Sequence, residues 1–266
     1  MTIGGYYVSK ISIYIGAAFV LSFILCLMIY RLPREKNVIK YQAVCDECET
    51  KVSWWHFIPL FGYIFAKGKY GECGHKMSIS RLLVPIFAMG LAALTVFTVK
   101  DCENAKEMYR IIVLLFCLIM LVVVFTDFET YIIPDTCHVI VIILAILAMV
   151  FKYTDVLWGI LGGVIFFVSF YVIAWIAIRK TGNKDALGGG DIKLMGVCGL
   201  FLGAGKCLLG LLIGSLLGFI LEGIILRKIR QEKGVAFGPY LAFGMMIAAF
   251  YGDVIINAYN HLLGID

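Results

Sequence analysis

The stretch IIVLLFCLIMLVVVFTDFETYIIPD, residues 111–135, runs from Ile111 to Thr126 without a charge and then sets Asp127, Glu129 and Asp135 around Pro134. An uncharged run close to the ~20 residues needed to cross ~30 Å of hydrocarbon reads as a transmembrane helix. Similar runs occur at about 11–30, 82–99, 136–151, 156–178, 192–204, 207–226 and 235–262, making eight candidate spans. The run 192–204 is the shortest, and a partial helix there would have to be buried among its neighbours, where protein or water can satisfy its backbone. Composition agrees. Of 266 residues, 62% are hydrophobic and 15% charged, with a mean hydropathy of +0.95, against roughly 45–50% apolar in soluble domains. So few charges cannot clothe a water-soluble surface of this size. The expected fold class is therefore all-α, a polytopic transmembrane helical bundle.

Residues 31–81 interrupt this pattern. They hold Arg, Lys and Glu, the aromatic group Trp54-Trp55-His56-Phe57 and Cys45, Cys48 and Cys73, without a long apolar run. The chain thus divides into a first span (1–30), a cysteine-containing loop (31–81) and a bundle (82–266). Ile11–Tyr30 is expected to stay as a span rather than be cleaved as a signal peptide, because Arg31-Leu-Pro-Arg34 follows it instead of a small-residue cleavage site. Alternation of sides puts residues 31–81, 127–135, 179–193 and 227–233 on one face with most of the 23 lysines and arginines. The other face receives only Lys10, Lys100, Lys106, Arg110, Lys152 and Lys206. The positive-inside rule makes the first face cytoplasmic and both termini external. Anionic lipid is the expected partner of the basic loops; no nucleic-acid motif is present, and no nucleic acid is expected to bind. Trp54 and Trp55 read as residues that seat the loop at the membrane interface.

Acids at span ends are costly near hydrocarbon and therefore candidates for function. Asp127 follows the apolar run Leu121–Phe125 directly; its bland reading is a boundary charge. Asp135 follows Pro134, suited to the first turn of a helix, and its bland reading is a cap for that turn. A second cluster is Leu187-Gly188-Gly189-Gly190-Asp191-Ile192-Lys193, where glycines allow another backbone to come near an acid. It is not a phosphate loop, because Gly-Lys-Ser/Thr at the required offset is missing. Both Asp127 and Asp191 map to the same face, where two facing carboxylates can share a proton, one activating water and the other protonating a peptide carbonyl. The rival reading is an ion-coupled transporter that uses intramembrane carboxylates, which inverted repeats and midplane acids would favour. His138, beside Asp135, reads as polar packing at a helix start.

Asp127 with Ile133-Pro134-Asp135, Gly188-Gly-Gly-Asp191 with Lys193-Leu194, and Ala236-Phe-Gly-Pro-Tyr240 resemble, in order, the motifs of the type IV prepilin peptidase family. Arg31-Leu-Pro33 and Ser80-Arg81 fit that family's N-terminal half. The resemblance implies a membrane aspartyl endopeptidase of the inner (plasma) membrane with its active site at the cytoplasmic face. Asp127 and Asp191 would be its catalytic pair, with Gly188, Gly189, Gly190, Pro134, Asp135 and Lys193 in binding or supporting roles. Its substrates would be prepilins or pseudopilins, cut after a leader-ending glycine. Members of the family often carry two Cys-x-x-Cys pairs in the loop. Here only Cys45-Asp-Glu-Cys48 is complete, since Lys76 stands where the partner of Cys73 would be. His75 can replace it, giving a structural zinc site of Cys45, Cys48, Cys73 and His75, with His56 a more distant candidate ligand; the alternative is a degenerate site with free thiols. Some members also methylate the new N-terminus with S-adenosylmethionine. The Lys76 departure falls in the loop associated with that activity, and no glycine-rich nucleotide fingerprint supplies separate support.

Overall fold

A computed structural model describes residues 3–36, 45, 48, 50–71, 73–99, 103–182, 188–225 and 236–264. Lys40, Lys100, Lys184, Arg227, Lys228, Arg230 and Lys233, which enter the expected sidedness, lie outside the described residues, as does Cys102. The chain forms two compact units, Met1–Lys100 and Asp101–Asp266. The boundary differs from the expected division at residue 81, because the helix that follows the loop packs on the first helix of the chain.

The first unit contains α1 (Ile3–Arg31), the short α2 (Phe61–Phe65) and α3 (Ser80–Thr98). Between α1 and α3 the chain is mostly irregular and collects around a small core of Cys45, Val52, Tyr70 and Met77. One antiparallel bridge, Lys69 to Lys76, closes a turn in which Gly68 and Gly74 take positive φ of 70° and 72°. The Tyr70 N–H donates to the His75 carbonyl at 2.9 Å and the Gly74 N–H to that of Tyr70 at 2.7 Å. These bonds carry Cys73 and His75 round the turn.

The second unit contains α4 (Glu103–Thr130), α5 (Asp135–Val150), α6 (Val156–Thr181), α7 (Gly189–Gly218, continued by a π-helical turn to Ile225) and α8 (Gly238–Leu263). In α4, 83% of the most apolar window is buried, against 28% in α6. A helix apolar on every side and buried on every side belongs at the centre of a bundle. By contrast, α6 exposes Leu157, Ile160, Val164, Phe167, Val168, Tyr171 and Ile173, a face that suits lipid. Its ends are set in water-compatible chemistry. The Asp155 carboxylate accepts the Trp158 N–H at 3.1 Å, Arg179 and Lys180 face the negative end of the dipole, and Gly182 closes the helix at φ 68°.

The expected spans 192–204 and 207–226 are the two arms of α7. At Gly203 the backbone turns to φ 76°, ψ 170°, a conformation essentially confined to glycine. A straight helix would separate residues 195 and 207 by ~18 Å, yet the Cys207 Sγ lies 4.0 Å from the Met195 carbonyl oxygen. The chain therefore folds back on itself. The first arm runs beside α6, with Gly199 against the Gly162 carbonyl, and beside α4, with Phe201 stacked on Phe116 at 4.2 Å. The second arm returns beside α8, with Gly210 against Gly244 and Gly214 against Tyr240. Six helices are long and apolar enough to cross a membrane, and Asp135–Val150 is a shorter apolar helix. With α7 counted as two arms, the described residues contain the eight apolar segments expected from the sequence. The protein is a multi-pass helical membrane bundle.

The reversal in α7 has a consequence for position. It returns both ends of α7 to the end of the unit where α4 finishes and α5 and α8 begin.

Candidate active site

Asp127 occupies the last turn of α4 and is only 7% exposed. After Thr130 the helix stops at Tyr131, whose φ is 56° and whose N–H donates to the Asp127 carbonyl at 2.9 Å. The carboxylate meets the start of α8 at Gly238. A Cβ on residue 238 would sit 2.7 Å from the Asp127 Oδ2 and 3.0 Å from the Ile133 Cδ1. Glycine at 238 is what lets the start of α8 come this close to the acid.

Asp191 sits in the first turn of α7 and is 9% exposed. Its Oδ1 is buried without a hydrogen-bond partner among the described residues. A buried carboxylate oxygen left in this way is costly and needs an explanation. Asp127 and Asp191 are joined through Ile133, which touches Gly238 beside the one and Gly190 beside the other. Gly188 and Gly189 lie exposed beside them, and a Cβ on Gly189 would meet nothing within 4 Å. The glycine edge is open.

Ile133 is the wedge between the two halves of this arrangement. Its side chain touches Gly238 on α8, and its Cβ lies 3.0 Å from where a Gly190 Cβ would stand on α7. Pro134 is buried and takes the N-cap position of α5 with extended backbone (φ −66°, ψ 137°), one residue before the first helical turn expected for it. The expected capping role of Asp135 gives way to another. It lies one position inside the helix, no side chain caps the N-terminus, and its Oδ1 accepts the Lys193 Nζ at 2.7 Å. The His138 Nδ1 is 3.4 Å from the same oxygen, and the His138 Nε2 is 3.2 Å from the Gly190 carbonyl oxygen. Gly188, Gly189, Gly190, Asp191, Lys193, Pro134, Asp135 and Asp127 thus gather at one end of the second unit.

Three residues at this end were assigned no site role from sequence. Gly238 was visible only as part of Phe-Gly-Pro, whose contact with Asp127 depends on packing between α4 and α8. Ile133 was visible only as part of the Ile-Pro-Asp motif, with no contact of its own to suggest. His138 was read as local polar packing, and its bond to Gly190 crosses between helices.

In the first unit, one ligand atom from each of Cys45, Cys48, Cys73 and His75 lies within 4.8 Å of the others. Cys45 is buried and Cys48 exposed, with 3.9 Å between the Cys45 Sγ and the His75 Nδ1. Hydrogen bonds from the Thr50 hydroxyl and backbone hold the Cys48 thiol down at about 6. The Cys73 thiol accepts from the His75 backbone, which lowers it, but desolvation and the adjacent Cys45 and Cys48 outweigh this and push it up to about 11. Tetrahedral zinc binds thiolates at ~2.3 Å and imidazole at ~2.0–2.1 Å, and four soft donors within 4.8 Å fit around such an ion.

A family model described as "Bacterial Peptidase A24 N-terminal domain" matches residues 15–99, and one described as "Type IV leader peptidase family" matches residues 114–222. The chain belongs to the type IV leader peptidase family. The two matched stretches fall within the two compact units. Curated relatives named "Prepilin leader peptidase/N-methyltransferase" align along most of this peptidase. The one from Bacillus subtilis (strain 168) is 28% identical over 234 residues, covering 86% of this chain and 89% of its own. That of Pseudomonas putida is 28% identical over 227 residues, covering 83% and 75%. That of Pseudomonas aeruginosa is 28% identical over 231 residues, covering 86% and 78%. No solved structure matches. The chain is a membrane peptidase, and neither the family models nor these relatives support the transporter reading.

Proposed function

We propose that this peptidase is an aspartyl endopeptidase that removes the leader from type IV prepilins or pseudopilins after a glycine, with Asp127 and Asp191 as its catalytic pair. The observation that carries the reading is the gathering of two buried acids from different helices on either side of Ile133, beside exposed glycines, at one end of the bundle. Two facing carboxylates hold one proton more readily than none. The ionised member takes a proton from water as the oxygen attacks the scissile carbonyl, and the protonated member gives its proton to the carbonyl oxygen. Collapse of the tetrahedral intermediate breaks the C–N bond. The amine leaves with a proton from one member of the pair while a hydroxyl of the gem-diol gives its proton to the other, which restores the starting state. The close approach of Gly238 fixes the Asp127 carboxylate for this cycle, and the exposed Gly188 and Gly189 offer backbone along which an extended peptide can lie.

The active end is assigned to the cytoplasmic face of the inner membrane by the excess of Lys and Arg on that side of the sequence map. The substrate would keep its apolar helix in lipid while its leader meets the acids. Cys45, Cys48, Cys73 and His75 would hold a structural zinc that ties together a loop with little regular structure, apart from the proteolytic chemistry.

The test is incubation of purified protein with a prepilin and with variants altered at the leader-ending glycine, followed by mass analysis. Cleavage after the glycine, lost in Asp127→Asn and in Asp191→Asn, is the expected result; cleavage by either well-folded variant at the wild-type rate would overturn the assignment. With S-adenosylmethionine added, a mass gain of one methyl group on the product would reveal the second activity carried in the relatives' names.

A further inference from the structure

His138 lies in the first turn of α5 and is buried, with its Nε2 on a named partner and its Nδ1 without a hydrogen bond among the described residues. The Gly190 carbonyl can only accept, so the His138 Nε2 carries the hydrogen in their 3.2 Å bond. On the other side the Nδ1 faces the Asp135 Oδ1 at 3.4 Å, and that oxygen is held by the Lys193 Nζ at 2.7 Å. The line of contacts begins and ends on the first turn of α7, at positions 190 and 193, which bracket Asp191. Residues two apart on a helix point ~200° away from each other. Lys193 therefore grips α7 on the side away from the Asp191 carboxylate, and the contacts reach that acid through the backbone.

Gly190 is caught between two residues of the same short stretch. Ile133 presses on it where a Cβ would be, and His138 holds its carbonyl. That stretch follows directly on Asp127, whose carbonyl accepts the Tyr131 N–H. Segment 127–138 thus carries one acid and holds the backbone that carries the other. The spacing of the acids depends on it.

We propose that His138 is a positioning residue for Asp191, clamping the Gly190 carbonyl through its Nε2–H while the Asp135–Lys193 ion pair ties the same two helices together beside it. This rests on the reading of Asp127 and Asp191 as the catalytic pair. His138 touches neither carboxylate and transfers no proton in the reaction; its effect is to hold the first turn of α7 in register with the end of α4.

The test uses the geometry of side-chain amides. The Gln amide nitrogen stands the same number of bonds from Cβ as the His Nε2, whereas that of Asn matches the Nδ1. In full-length protein purified in detergent or nanodiscs, His138→Gln is expected to keep kcat on a purified prepilin within ~3-fold of wild type. His138→Asn and His138→Ala are expected to lose ~10–100-fold in kcat with KM nearly unchanged, the size of effect that a displacement on the order of 1 Å can produce. A residue needed only as buried polar packing would be served alike by Asn and Gln. Equal kcat for the Asn and Gln variants, or wild-type kcat in a folded His138→Ala, overturns the proposal. Should the His138 variants all fail to fold, Lys193→Met decides: a ~3–10-fold fall in kcat at constant KM supports the clamp, and an unchanged kcat overturns it. Asp191→Asn is assayed alongside. Turnover by that variant would sink the catalytic pair itself, whereas a dead Asp191→Asn with wild-type His138→Ala would sink the clamp alone.

Discussion

At the carboxylate end of the second unit, Asp127, Asp191 and Gly238 come from three helices whose packing brings them together. In the first unit, Cys45, Cys48, Cys73 and His75 come from one short stretch whose described residues hold a single β-bridge and a core of four buried residues. The first arrangement has its geometry fixed by apolar surfaces far larger than the site, so its polar groups can be exchanged without unmaking the fold. In the second, the four ligands are themselves much of what draws the stretch together. Substitution should therefore separate chemistry from stability at the acids and join ligand to stability at the cysteines.

The largest effect expected is at the acids. Asp127→Asn and Asp191→Asn keep the shape of the side chain but cannot exchange the proton, and each should lower turnover by ~10²–10⁴-fold or more. Their thermal midpoints and membrane insertion should equal those of wild type or exceed them, since each replaces a buried ionisable group with a neutral one. A well-folded variant with normal turnover would break the comparison at its strong side. So would a variant that is inactive only because it fails to insert.

Gly238→Ala should come next, with a fall in turnover of ~10–10²-fold. The added carbon would stand 2.7 Å from the Asp127 Oδ2, so the carboxylate or the start of α8 has to move. Because the loss follows from misplacement, KM should change little, which steady-state kinetics would show. An unaltered kcat would mean that the Gly238 contact does not set the position of Asp127.

The apolar periods and the charge gaps made the spans legible, even the short one at 192–204. What they did not contain was the joint at Gly203, because a glycine among many in α7 reveals nothing of its φ until the returning arm is seen against Met195. Asp127 and Asp191 stood out because acids beside apolar runs are rare. Their supports did not: Gly238 and Ile133 are ordinary residues whose roles arise from contacts between distant helices. Asp135 misled for a local reason. After a proline an acid reads as a helix cap, but here Pro134 itself takes the cap position and leaves the carboxylate to Lys193. His75 shows the opposite case, since ligand spacing along the chain suggested a site and the turn at Gly74 brings the residues together.

A third prediction sharpens the other side of the comparison. Protein purified without chelators should carry about one zinc per chain, and its removal should open residues 45–77 to limited proteolysis. Turnover of a prepilin should remain within ~3-fold, provided the metal has only the structural part typical of closed Cys/His sites. Elemental analysis and a peptide map before and after chelation measure both. Absence of zinc, or loss of cleavage in step with the metal, would undo the contrast drawn between the regions.

The smallest effect is expected at Asp135, where the two roles suggested for this acid differ in what they predict. If it capped α5, Asn would serve nearly as well, and Ala would cost ~1 kcal/mol of stability. The structure instead gives it an exposed ion pair with Lys193, at 73% and 52% side-chain exposure, of a kind worth ~0–1 kcal/mol. Asp135→Asn and Asp135→Ala should then be alike in stability, both within ~1 kcal/mol of wild type by thermal denaturation. In turnover they should divide, because the Asn oxygen can still accept from Lys193, while Ala breaks that tie between α5 and α7. We expect a loss of ~2-fold for Asn and ~5–10-fold for Ala, on the scale of a modest displacement near the reacting groups. A marked stability gap between the two variants with equal turnover would restore the cap, and would detach Asp135 from the acids it sits beside.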